Sequence, residues 1–83
     1  MTWQKHEIRQ ARQTELAPLL EKRGYRLKKL RRDNFLLQDH DGLIVKRHYW
    51  LWQAKQLKGN AIDFFVLVEG RSFADTMRIL APK

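Results

Sequence analysis

The stretch HYWLWQAKQLKGNAIDFF, residues 48–65, decides how this chain folds. Trp50 and Trp52 stand two apart, just before a basic, Gly-containing loop and a very apolar segment. Residues two apart on a strand share a face, so both indoles lie on one side and Tyr49 and Leu51 on the other. If the shared face packs on the following helix, both rings are core, the usual fate of a large apolar ring. If it is the open face, both are displayed beside Arg47, Lys55 and Lys58 for something flat to stack on.

Downstream, Asn60 is placed to cap a helix, and Asp63 three residues later completes a capping box. The helix is expected to run to about Glu69. Ile62, Phe64, Phe65, Val66, Leu67 and Val68 cover almost its whole circumference, which requires burial. Gly70 stops it. Ser72 and Asp75 open a second helix with Phe73, Met77 and Leu80 on one face, and Pro82 ends it.

Upstream, residues 4–23 carry Ile8, Ala11, Leu16, Leu19 and Leu20 at helical spacing. Pro18 interrupts the pattern, so either one helix kinks there or two short ones meet with Thr14 capping the second. Lys22, Arg23 and Gly24 form a C-terminal stop. Four short strands follow at 25–30, 35–38, 43–46 and 49–53. The turn RRDN (31–34) separates the first two and DHDG (39–42) the next pair. The predicted architecture is α+β: an N-terminal helix, a four-stranded antiparallel meander and two C-terminal helices.

The 83 residues make one small domain, here divided into an N-terminal extension (1–13) and a module (14–81). Such a chain buries only about 60–65% of its unfolded surface, so its core is marginal. It has no Cys, hence neither disulfides nor a thiolate zinc site. No apolar run is long enough to span a bilayer and no signal-peptide core is present. A soluble, cytoplasmic protein with no membrane partner is expected. The net charge is +8, from 17 Lys and Arg against 9 Asp and Glu. Residues 22–58 hold eleven of the cations and three of the acids, while the flanks cancel. A positive field concentrated mid-chain suits a polyanion, most commonly nucleic acid.

The segment GNAIDFFVLVEGRSFADTMRIL (59–80) resembles the C-terminal part of the zinc-binding domain of bacterial replicative primases. Gly59, Ile62, Asp63, Phe64, Glu69, Gly70, Ser72, Phe73 and Leu80 carry the likeness, with Asn60 where Asp is usual. RGYRLKKLRRDNFLLQDHDGLIV (23–45) resembles the family's first strands, so the likeness spans roughly 14–81. The family's zinc ligands are not retained. Trp52 and Lys55 occupy the second ligand pair, and in LLQDHD only His40 matches the first. The chain looks more like zinc-less relatives that precede Toprim domains in primase-like proteins of plasmids and other mobile elements. Gly24, Tyr25, Leu27, Trp50, Trp52, Gly59, Ala61, Ile62, Asp63 and Phe64 fit that version. The resemblance implies no metal cofactor and a role in engaging single-stranded DNA beside a polymerase, Toprim or helicase partner. It implies either an N-terminal domain of a larger enzyme or a small protein acting alongside one. Where zinc is lost, a buried Trp is a physical substitute, and Trp52, at a ligand position, is the expected replacement. Removing 150–250 Å² of ring from water is worth a few kcal/mol at about 25 cal/mol per Å².

Arg26, Lys28, Arg31, Arg32, Arg47, Lys55 and Lys58 are the phosphate candidates, and Tyr49, Trp50 and Trp52 the stacking candidates. Lysines on a strand also serve simply to prevent edge pairing. Asp63 reads as a helix cap rather than a catalytic carboxylate. No phosphate cradle, nucleophile–base pair or carboxylate pair is recognisable, so a non-catalytic module is expected. The competing expectation is a protein-interaction module presenting an exposed apolar patch from Trp3, Ile8 and the first helix. RNA binding would use similar surface chemistry.

Overall fold

The computed structural model describes residues 2–82. Two short helices open the chain, α1 (Lys5–Arg12) and α2 (Leu16–Lys22). Of the two arrangements open at Pro18, the structure takes the second, with the break before the proline. Pro18 then lies in the first turn of α2, where its missing N–H is not needed. Thr14 is not the cap. Glu15 takes that position without a side-chain hydrogen bond.

The sheet has five strands rather than four: β1 (Leu27–Lys29), β2 (Phe35–Leu37), β3 (Leu43–Val45), β4 (Trp50–Trp52) and β5 (Leu57–Gly59). All neighbours are antiparallel, in the order β1-β2-β3-β4-β5. The extra strand comes from the segment expected to be a loop. A 3-10 turn at Gln53–Lys55 and a left-handed Gln56 (φ 53°) fold the chain back, so that Leu57 pairs with Trp52 and Gly59 with Trp50.

A helix, α3, follows at once. It opens as Ala61–Asp63 and widens into a π-helical stretch, Phe64–Val68. The Glu69 N–H accordingly reaches back five residues to the Phe64 carbonyl (3.3 Å). Gly70, at φ 71°, ends the helix and lets the Arg71 N–H bond the Phe65 carbonyl (2.9 Å). The last helix, α4 (Phe73–Leu80), is capped as expected, with Ser72 Oγ accepting from the Asp75 N–H (3.1 Å).

Alternation along the strands turns Leu37, Leu43, Val45 and Trp50 toward the helices, where they pack with Leu16, Ala17, Leu20, Phe64 and Phe65. A second cluster joins Trp3, Ala11, Ile62 and Met77, with Ile8 against it. Of the residues expected to form an interaction patch, Trp3 is buried, with its ring meeting Phe73 edge-on at 6.0 Å, and Ile8 is half-buried.

The joint between sheet and helix is tight. Trp50 is fully buried and its indole N–H donates to the Asn60 carbonyl (2.8 Å). Asn60 Oδ1 accepts from the Asp63 N–H, and Asp63 Oδ2 accepts from the Asn60 N–H, both at 3.1 Å. This is the predicted capping box, which accounts for Asp63 structurally. Gly59 leaves room for it. A Cβ there would lie 2.4 Å from Asp63 Cβ. At the other end of α3, Glu69 accepts hydrogen bonds from the Tyr25 hydroxyl and from Arg71 Nε, each at 2.5 Å.

Gly59→Ala forces the capping box apart, and overpacking of this kind costs about 1–3 kcal/mol. Urea denaturation should show that loss, and an unchanged midpoint would mean the Asp63 turn yields freely. Burial first, then the hydrogen bond to Glu69 and its charge, push the Tyr25 phenol above its ordinary value. The folded chain thus holds that proton more tightly than the unfolded chain, whose Tyr titrates near about pH 10. The stability this confers is complete below that pH and is lost as pH rises above it. Stability measured from about pH 9 upward should fall more steeply in the wild type than in Tyr25→Phe. Parallel curves would contradict the linkage.

Candidate nucleic-acid interface

With one face of the sheet covered by helices, the other stands open. Register places Lys28, Leu36, Ile44, Leu51 and Lys58 side by side across it. Three half-buried aliphatic side chains are thus flanked by a lysine on each edge strand, about 19 Å apart at ordinary strand spacing. One step toward the β3–β4 turn, Asn34, Lys46 and Tyr49 cluster on the same face. Lys46 Nζ donates to Asn34 Oδ1 (3.4 Å) and sits 5.8 Å from the centre of the Tyr49 ring. Tyr49 is 51% exposed. No acidic residue falls on this face within the strands.

The phosphate candidates divide into groups. Lys28 and Lys58 lie on the open face. Arg31 and Arg32 lie in the β1–β2 turn, with Arg32 left-handed at φ 47°. The β1–β2 and β3–β4 turns fall at the same end of a meander, which brings Arg31 and Arg32 to the end that carries Lys46 and Arg47. None of Lys28, Arg31, Arg32 and Lys58 forms an ion pair among the described residues. Arg47 is paired with Glu15 (3.2 Å) and Arg26 with Asp39 (2.6 Å). The Arg26 hydrogen bond holds the Asp39 carboxyl below its usual range. Both pairs are exposed, so they compete only weakly with a phosphate. Lys55 lies at the opposite end, 5.8 Å from the Trp52 ring centre.

The stacking candidates separate more sharply. Tyr49 is displayed. Trp50 is withdrawn, because an indole with no exposed surface and a bonded N–H has no face to offer a base. Trp52 shares its side of the sheet. It is half-buried, donates its N–H to the Asp41 carbonyl (2.8 Å) and meets His40 edge-on at 5.4 Å. His40 in turn packs beside Tyr25, at 5.9 Å. Lys46, Asn34 and the aliphatic row are not among the residues singled out from the sequence. Strand alternation could have found them, since Tyr49 and Leu51 were already assigned the face opposite the indoles.

Among the described residues no group of three His, Asp or Glu side chains is placed to hold a metal ion, and no helix is long and apolar enough to cross a membrane. Comparison of the chain with protein-family models, with curated proteins and with solved structures found no match.

Trp52 bridges the β2–β3 turn and the 3-10 turn through its contacts with Asp41, His40 and Lys55. Burial of a full Trp is worth about 3–5 kcal/mol on truncation, and this ring is only part-buried. Trp52→Ala should therefore lower the unfolding free energy by about 2–3 kcal/mol in chemical denaturation. A change of a few tenths would show that the bridge holds nothing together.

Proposed function

We propose that the chain is a non-catalytic module that binds single-stranded nucleic acid across the open face of its sheet. The observation that carries this reading is the acid-free row of Lys28, Leu36, Ile44, Leu51 and Lys58 beside the displayed Tyr49 ring. Phosphates meet the edge lysines and the arginines of the β1–β2 turn. Bases lie on the aliphatic floor and stack on Tyr49. Recognition of this kind is tolerant of sequence, because every base has a flat apolar face. DNA in replication, priming or mobilisation of a mobile element is the setting suggested by the resemblance to primase zinc-binding domains. A neighbouring Toprim, polymerase or helicase unit is the corresponding partner. Support for a zinc-less version comes from His40, Trp52 and Lys55. They fall at ligand positions of the resembled family, and here His40 and Lys55 each lie against the Trp52 ring.

A fluorescently labelled oligothymidylate of about twelve nucleotides tests the reading by anisotropy at several salt concentrations. Binding should saturate and weaken linearly in log salt. Lys28→Ala with Lys58→Ala should reduce that slope by about 1.4, at about 0.7 per phosphate contact on a single strand. Tyr49→Ala should cost about 1–3 kcal/mol. Absence of binding at low salt would sink the proposal. A duplex bound more tightly than the single strand would contradict the stacking mode.

A further inference from the structure

The free edge of the sheet at β1 carries an inference that rests on its outward backbone groups and shares Lys28, Arg31 and Arg32 with the nucleic-acid reading. β1 is an end strand with a single strand neighbour. Toward β2, the Gln38 N–H donates to the Arg26 carbonyl (3.0 Å) and the Leu30 N–H to the Asn34 carbonyl (2.9 Å). Alternate residues of an antiparallel ladder bond the same neighbour. Residues 26, 28 and 30 therefore use their backbone groups on β2, and Leu27 and Lys29 turn theirs outward. At the other edge, β5 is packed by α3.

The side chains along this edge are cationic on both faces. Lys28 is on the open face and Lys29 on the helix side, both exposed, with exposed Arg31 and Arg32 just beyond. Arg26, paired with Asp39, stands at the other end, and Asp33 lies in the adjoining turn. Leu30 is 45% exposed between them. A second copy of the chain pairing here would set lysine against lysine, which is how edge strands repel their own kind. A nucleic acid would meet the cations but has no donors for the outward Leu27 and Lys29 carbonyls along its phosphates. An extended polypeptide with carboxylates satisfies both the charge and the backbone.

We propose that the β1 edge docks an extended acidic segment of a partner protein as a sixth strand. Its backbone pairs with Leu27 and Lys29, and its carboxylates face Lys28, Lys29, Arg31 and Arg32. Strand addition of this kind draws affinity from main-chain hydrogen bonds and selectivity from alternate side chains.

A capped, labelled decapeptide of Asp-Asp and Val-Val pairs in alternation, which puts carboxylates on both faces of a strand, is the probe, with the same peptide N-methylated throughout as the control of equal charge. The parent peptide should bind saturably, and the N-methylated one about tenfold or more weakly. Lys29→Pro removes an outward N–H and no internal bond. It should weaken the parent peptide by a similar factor beyond Lys29→Ala, which controls for the lost charge. In the unaltered protein, bound peptide should slow hydrogen exchange at the Leu27 and Lys29 amides, a readout that survives if the proline variant fails to fold. Equal binding of the two peptides, no binding of the parent at low salt, or unchanged exchange at both amides would overturn the proposal.

Discussion

The hydrogen bond from the Trp50 indole to the Asn60 carbonyl sets where the sheet stops and the helix layer begins. Gly59, the partner of Trp50 across the ladder, leads directly into that turn and has no Cβ to meet the Asp63 side chain. The same missing Cβ admits Asp63, whose carboxylate closes the capping box on Asn60. Three local choices are thus one constraint. The indole anchors the last strand, the glycine permits the approach, and the cap starts the helix that covers the indole. Burying that ring supplies about 4–6 kcal/mol of gross transfer free energy, a large share for so small a core.

The open face follows from the same constraint by exclusion. With period two, a strand that sends Trp50 and Trp52 to the helices must send Tyr49 and Leu51 the other way. Antiparallel register then carries this division across the sheet, placing Ile44, Leu36 and Lys28 beyond Leu51 on one side and Lys58 on the other. The chain's net charge comes to the open face, to the turns above it and to the β1 edge, while carboxylates are drawn into pairs with Arg26, Arg47 and Arg71. Glu69, held by Tyr25 and Arg71, ties the end of α3 to the start of β1, so the face rests on a braced support.

Much of this was legible in the residues. Asn60 with Asp63, Ser72 with Asp75, Gly70 and the DHDG turn each announce their conformation through local chemistry, and each appears where expected. The fifth strand was not legible, because LKG offers one apolar side chain and a glycine that usually argues against strand. Its existence depends on Gln56 taking a left-handed conformation that Gln rarely adopts. The π-helical widening at Phe64–Val68 is likewise a tertiary outcome, in a run apolar enough to fit several registers. For the site, pattern gave the two faces of β4 but not which one the helices would take. That depended on the Gly59 joint, which assigns Trp50 to the core and leaves Tyr49 displayed.

The central claim is that single strands lie on the face opposite the indoles. A titration of isotopically labelled protein with oligothymidylate, followed by amide and indole resonances, tests it most directly. The account predicts progressive shifts at Lys28, Leu36, Ile44, Tyr49, Leu51 and Lys58, with the Trp50 indole resonance unmoved. Shifts concentrated on α2, α3 or the Trp50 indole, with the open face silent, would contradict it.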